Sequence, residues 1–342
     1  MKPNTLIPIK NSVLLAPLAG VSDFPFRLVC QKGGADLTYV EMLSSLALIY
    51  KNRKTLKMLK RHPEEKYLGV QVTGRNTEEL KQAVSILNDY PFDTIDINMG
   101  CPVKKVVNSG SGSAILKDVD RVYESVRQAV AVCSVPVSVK IRLGWDRDSL
   151  NYLEVADAAA QAGASWLTVH GRTRSERYIS PVDLDAIGKI KQKLHIPVFG
   201  NGNIFSQKDA EHMQTKTLVD GVMVSRGALG NPWIFSEIKN QHRKTNLVEW
   251  MNSVKMHIDW QKEAYPEKRI GVLCMRKHLL WYLKGWPNAH KAKEKVNSVT
   301  TFEGLHHIVE EFTELMQTQE TSHRFMHHEN LSLDRFSWNP SL

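Results

Sequence analysis

The chain has 342 residues, 42% of them apolar and 24% charged, with a formal net charge of +9. That length suits one large domain plus an appendage, and the composition excludes a disordered or fibrous chain and allows a sizeable core. No apolar run approaches the ~20 residues a membrane helix needs, and Met1 to Pro8 lack the features of a signal peptide, so a cytoplasmic protein is the default expectation.

Short apolar, β-branched runs recur from the start to about residue 226: Val13–Ala16, Leu37–Val40, Leu68–Val72, Thr94–Asn98, Val135–Ile141, Trp166–Val169, Ile196–Phe199 and Gly221–Val224. Helical stretches alternate with them, among them Thr77–Leu87, Val119–Val132, Leu153–Ala162 and Val182–Lys193. Eight β-α units with near-continuous apolar strands predict a parallel sheet covered on both faces, hence a (β/α)8 TIM barrel. An open doubly wound sheet is the structural alternative.

The active site of such a barrel forms at the C-terminal ends of its strands. The polar strand ends are therefore the informative residues. They read Ala16-Pro17-Leu18, then Glu41 and Met42 after the second strand, Gln71, Asn98-Met99-Gly100-Cys101-Pro102, Lys140 and Arg142, His170-Gly171-Arg172-Thr173, Gly200-Asn201-Gly202-Asn203 and Ser225-Arg226-Gly227-Ala228. Burying such a ring without partners is costly, and a polar ligand would satisfy it. The glycine-rich seventh and eighth ends suit a phosphate. No Rossmann or P-loop glycine pattern occurs. Lys140 could be merely solvated and His170 merely structural, yet both project into one mouth, which favours function.

Cys30, Cys101, Cys133 and Cys274 form no C-x-x-C pair, so neither a zinc site nor a disulfide framework is suggested. Cys101 stands apart between Gly100 and Pro102, and the other three are expected in the core.

After Trp233 the pattern becomes helical. Trp250, Val254 and Ile258 share one helical face, and Leu273, Lys277 and Trp281 a more mixed one. Pro266 and Gly285-Trp286-Pro287 punctuate the segment, which reads as a small bundle built on two hairpins. Residues 239–297 hold 13 Lys and Arg against 5 Asp and Glu, while the rest of the chain is nearly balanced. A phosphate backbone explains that local excess better than a solvated lysine-rich face. His323, His327 and His328 lie in a tail better read as weakly ordered than as metal-binding. The expected divisions are a barrel over 1–240, a helical unit over 241–320 and a tail over 321–342.

The segments Ala16 to Arg27 (APLAGVSDFPFR), Asp96 to Pro102 (DINMGCP), Val169 to Arg174 (VHGRTR), Gly227 to Trp233 (GALGNPW) and Arg276 to Leu283 (RKHLLWYL) resemble the tRNA-dihydrouridine synthase family, in particular its bacterial B-type branch. The resemblance runs from Leu15 to about Leu283. It implies an FMN-dependent enzyme that reduces the C5=C6 bond of tRNA uridines, with NADPH as a transient reductant. By position, Ala16, Pro17, Leu18, Gln71 and Lys140 resemble flavin-ring contacts. Asn201, Gly202, Asn203, Ser225 and Arg226 resemble FMN phosphate loops. Cys101 corresponds to the proton donor. Asn98, Arg142 and His170 resemble residues around the target uracil and its phosphate, with His170 also counted among the cofactor contacts. Arg276 and Lys277, with Lys291, Lys293 and Lys295, are the candidate tRNA contacts. No metal is expected, and nothing demands more than a monomer.

Two positions depart from the family pattern. Asn203 stands where Asp is frequent, and Ser225 where Gly is frequent, though backbone N–H donation survives both. The loop Val106 to Ser113 is also less basic than in relatives. A small-molecule flavin reductase, a non-redox phosphate-binding barrel and a catalytically idle RNA-binding protein are the competing readings.

Overall fold

The computed structural model describes residues 9–240, 245–265 and 267–318. Eight strands run β1 (Ser12–Leu15), β2 (Thr38–Ser44), β3 (Leu68–Thr73), β4 (Thr94–Met99), β5 (Val137–Arg142), β6 (Trp166–His170), β7 (Val198–Asn201) and β8 (Gly221–Val224). Each pairs with its neighbours in parallel, in the order β1-β8-β7-β6-β5-β4-β3-β2. The two ends meet. Leu14 bridges Leu37 in parallel, and the Leu15 amide donates to the Leu37 carbonyl at 2.9 Å. The sheet is a closed TIM barrel, not the open alternative.

Alternation along each strand decides what faces inward. On β4, Ile95, Ile97 and Met99 join the large core under the helices. On β5 and β6 the same core takes Val137, Val139, Ile141, Leu167 and Val169. The intervening residues therefore line the barrel. Near its floor they are apolar, with Leu14, Tyr39, Trp166, Phe199 and Met223 forming their own cluster. Towards the C-terminal mouth they become Gln71, Asn98, Lys140, Arg142, His170 and Asn201. One period-two pattern thus builds the floor and the site.

The helices start where short polar side chains cap them. Asn76, Asp118 and Asp183 accept from the backbone of Glu79, Arg121 and Ala186 at 2.9, 3.0 and 2.9 Å, which opens Thr77–Leu87, Val119–Val132 and Leu184–Lys193. Two expectations need correction here. Glu41 and Met42 lie inside β2 rather than beyond it, because a register irregularity between Val40 and Leu43 lengthens that strand. Cys133 and Cys274 are only partly covered, and of the three cysteines expected in the core only Cys30 is buried.

Beyond the barrel, helices Leu247–Ala264, Lys268–Tyr282, His290–Ser298 and Phe302–Thr318 form two hairpins around one core. Trp250, Val254 and Ile258 are buried as their spacing predicts. Leu273, Lys277 and Trp281 share a mixed face of helix Lys268–Tyr282, with Leu273 48% exposed and Trp281 packed on the barrel core, while Val272, Met275 and Leu279 enter the core of the bundle. Trp286, in the predicted break, packs edge-on against Trp250 at 5.4 Å between centroids. Tyr265 donates its hydroxyl to Asp23 at 2.9 Å, and Lys277 donates to the Gly20 carbonyl, so the bundle is tied to the loop after β1. Pro266 and the three tail histidines lie outside the described residues.

Candidate active site

A chain of hydrogen bonds crosses the mouth from Asp96 to Cys101. Gln71 Nε2 donates to Asp96 Oδ2 at 2.7 Å, Asn98 Nδ2 donates to Gln71 Oε1 at 2.8 Å, and Asn98 Oδ1 accepts from the amides of Gly100 and Cys101 at 3.1 and 2.9 Å. A carboxylate that only accepts and backbone amides that only donate leave each side-chain amide one orientation. Ser138 Oγ fills the other Asp96 oxygen at 2.6 Å. Burial pushes the Asp96 carboxyl up to about 6, against the pull of Ser138, Gln71 and Lys140.

Cys101 sits on the elbow that this chain holds. Its carbonyl accepts from the Ser113 amide at 3.1 Å. Thr73 Oγ1 donates to the Asn98 carbonyl and accepts from the Gly112 amide, both at 3.1 Å. Gly112 has φ +59, and a Cβ there would come 2.9 Å from the Cys101 carbonyl oxygen. The short helix Gly112–Lys117 therefore closes tightly on the cysteine. Cys101 is partly exposed and belongs to none of the apolar clusters. Burial raises its thiol pKa, with the Val103 amide, Arg142 and Lys140 opposing.

Across the mouth, Lys140 Nζ donates to Asn201 Oδ1 at 3.0 Å, and Asn201 Nδ2 donates to the Met223 carbonyl and to Ser225 Oγ at 2.7 and 3.1 Å. Burial, reinforced by Arg142, brings Lys140 down to about 8. Asn201 thus joins β5, β7 and β8, and the Ser225 hydroxyl is absorbed by that link. Gly202 has φ +122, and a Cβ on it would meet Val182 at 2.8 Å and the His170 ring at 2.9 Å. Only glycine fits so close to those two side chains. Asn203 follows in the left-handed region at φ 54.

Arg142, Arg172 and Arg226 have no carboxylate ion pair among the described residues. Buried Arg142 donates to the carbonyls of Gly100, Thr173 and Arg177 at 2.9, 2.8 and 2.9 Å. Arg172, fully buried, reaches His170 Nε2 at 3.1 Å, Asn203 Oδ1 at 3.0 Å and the Ser180 carbonyl. Arg226 lies 5.1 Å from the Tyr178 ring centroid and 5.6 Å from that of Phe205. The mouth is a cationic, hydrogen-bonding cup suited to an anionic ligand. Ala16, Pro17 and Leu18 contribute an apolar ledge, with the Ala16 amide bonded to the Val224 carbonyl at 2.8 Å.

The candidate residues Ala16, Pro17, Leu18, Gln71, Asn98, Cys101, Lys140, Arg142, His170, Asn201, Gly202, Asn203, Ser225 and Arg226 all lie at this one end of the barrel. Arg276 and Lys277 do not share a direction. Arg276 donates through Nε to the Val299 carbonyl at 2.8 Å, bracing the bundle, while Lys277 reaches the loop after β1. Sequence reasoning gave no role to Asp96, Arg172 or Tyr178. The alternation of Asp96 with Ile95 and Ile97 could have revealed the first, since a carboxylate between apolar strand residues points inward.

The family profile described as Dihydrouridine synthase (Dus) matches residues 14–319. The chain is 38% identical over 298 residues to tRNA-dihydrouridine synthase B of Pasteurella multocida, covering 85% of this chain and 90% of that one. It is also 38% identical over 315 residues to a probable tRNA-dihydrouridine synthase of Helicobacter pylori, covering 91% and 95%. Among solved structures, an amine oxidase, HisD, from Pseudomonas geniculata matches with TM-score 0.53 at 13% identity, over 66% of this chain and 46% of that one. The chain thus spans about half of that structure, and the likeness concerns the fold alone. By its profile match and its relatives, the chain belongs to the dihydrouridine synthase family.

Proposed function

We propose that this protein reduces specific uridines of tRNA to 5,6-dihydrouridine, with bound FMN and with NADPH as a transient reductant. The observation that carries the reading is the fixed elbow of Cys101 at the same cationic mouth that holds the Lys140–Asn201 bond.

The residues present fit a flavin mononucleotide. The backbone of Gly202 and of the left-handed Asn203, with the Arg226 guanidinium, would offer donors and charge to a phosphate. Gln71, Lys140 and the ledge Ala16, Pro17 and Leu18 would hold the ring system. When bound, a reduced flavin supplies hydride to C6 of the uracil.

The chain's own residues then govern the charge and the proton. Hydride arrival leaves negative charge spread over C5, C4 and O4 of the base. Asn98 and Arg142 would hold the base and its phosphate. Lys140, down to about 8, is still mostly protonated at neutral pH and stabilises negative charge. The Cys101 thiol, with its pKa raised by burial, keeps its proton at neutral pH and delivers it from Sγ to C5. A cysteine acting as nucleophile would need the opposite shift. Because the target base belongs to a folded RNA, it must swing out to reach the mouth. The basic helical unit would hold phosphates meanwhile through Lys291 and Lys293, and through Lys295 once it leaves Glu311.

The test is reconstitution: purified protein, FMN and NADPH with an unmodified tRNA transcript, followed by mass spectrometry of the nucleosides. Dihydrouridine at defined positions is the expected product. Turnover of free uracil with tRNA left unchanged would instead identify a small-molecule reductase.

A further inference from the structure

The connection from β2 to β3 carries a second basic surface. Between positions 51 and 61 stand six Lys and Arg and no Asp or Glu. Lys60 lies over the Phe24 ring and Arg61 pairs with Asp93, so those two are engaged with the protein. Lys51, Arg53, Lys54 and Lys57 are exposed and have no ion pair among the described residues. The two carboxylates further along the connection, Glu64 and Glu65, are tied to Lys32 and Arg27. Beside the four cations, the Tyr50 ring is 79% exposed.

This surface is preshaped. Lys51 takes the left-handed conformation at φ 50, and Asn52 Oδ1 accepts from the Lys54 and Thr55 amides at 3.0 and 3.2 Å, turning the chain sharply between helices Ser45–Ile49 and Arg53–Met58. It also lies on the rim of the mouth, because Ser45–Ile49 begins where β2 ends. Ser44 pairs with Thr73, whose hydroxyl holds Asn98 and Gly112 beside Cys101. Exposed Lys104 and Lys105, just past Cys101, continue the same sign.

We propose that Tyr50, Lys51, Arg53, Lys54 and Lys57 form a second RNA contact on the barrel itself, the cations holding the phosphate backbone and the Tyr50 ring stacking on an unpaired base. An exposed aromatic among unpaired cations is the combination that single-stranded nucleic acid recognises. The inference rests on tRNA being the substrate. It extends substrate recognition from the helical unit onto the barrel rim beside it, since His62 of the same connection pairs with Glu263 of the helical unit at 3.5 Å.

Titrations of tRNA against the full-length flavin-loaded protein at several salt concentrations test it. Tyr50→Ala should raise the Kd about five- to tenfold, in the range stacking supplies. The combined variant Lys51→Gln, Arg53→Gln, Lys54→Gln and Lys57→Gln should lower the salt slope by about 3, at ~0.7 per phosphate contact of a single strand. A helical-unit variant, Lys291→Gln with Lys293→Gln and Lys295→Gln, serves as comparator, and thermal melting verifies each fold. If the comparator weakens binding and the rim variants do not, the rim contact is overturned while the tRNA reading stands. If the wild type binds tRNA no better than it binds an unstructured polyanion and fails to modify it, the parent reading falls. If the rim variants lose affinity for polyglutamate and keep it for tRNA, the surface serves an acidic protein and the proposal fails.

Discussion

Arg172 directs Nη1 at Nε2 of His170 from 3.1 Å. A guanidinium only donates, so Nε2 must accept, and the neutral His170 ring carries its proton on Nδ1. Burial, followed by the charges of Arg142, Lys140, Arg172 and Arg226, holds the pKa of His170 well below its usual range. The same guanidinium gives Nη2 to Asn203 Oδ1, so the Asn203 amide must turn its N–H donors elsewhere. One buried cation thus presets two donors. In spectra of 15N-labelled histidine, His170 should remain the Nδ1–H tautomer from about pH 8 to pH 5, across the ordinary histidine range. Arg172→Met should yield mixed tautomers and a titration nearer neutrality. Titration of the wild-type ring near its ordinary value would refute the assignment.

Cys101→Ala separates the two half-reactions. Loss of a positioned acid should slow uridine reduction by about 10²–10⁴-fold. Flavin reduction by NADPH, which needs no proton at C5 of the base, should change little. Rapid-mixing absorbance of the flavin reads both steps, and equal loss in both would remove Cys101 from the proton-donor role.

Asp96 and Lys140 make a coupled pair of expectations. The ionised carboxylate raises Lys140 against the burial that brings it to about 8. Asp96→Asn removes that charge, so Lys140 should lose its proton at a lower pH. The alkaline limb of the kcat/KM profile should move acidward. The amide oxygen can still accept from Gln71 while its N–H meets the Ser138 hydroxyl, so the order through Gln71 and Asn98 to Cys101 should survive and the rate should fall less than in Cys101→Ala. An unmoved alkaline limb would show that another group sets it.

Periodicity made the barrel legible. Helices 77–87 and 119–132 lie where it put them, and the strands within two residues except at the bulged end of β2. The strand-end residues were legible because the barrel topology brings them to one mouth. What alternation alone did not reveal was connectivity: Arg172 was visible as a polar strand-end residue, but its partners come from residues 8 and 31 positions later. Likewise Arg276 and Lys277, adjacent in sequence, diverge because a helix turns successive side chains by about 100°.

Acid should weaken the joint between helical unit and barrel. His257 and His278 are 0% and 2% exposed, their rings 4.7 Å apart between centroids, and His278 packs on Phe26 at 5.2 Å and Trp281 at 5.1 Å. His257 Nδ1 meets the Tyr282 hydroxyl at 3.1 Å. Burial, with Lys277 nearby, brings His257 down to about 3, and burial also holds His278 well below its usual range. Unfolded histidines take up protons near pH ~6.5, which these folded rings refuse. Their folded pKa values are depressed, so full stability is present above the unfolded value and is lost as pH falls from about 6.5 towards about 3. Each ring should cost about 1.4 kcal/mol per pH unit inside that window. His278→Phe keeps the ring packing and removes one titration, so its Tm should fall distinctly less between about pH 6 and pH 4 than the wild type's. Parallel curves for the two proteins would mean that His278 is already protonated when folded, and the joint would then owe its acid response to other groups.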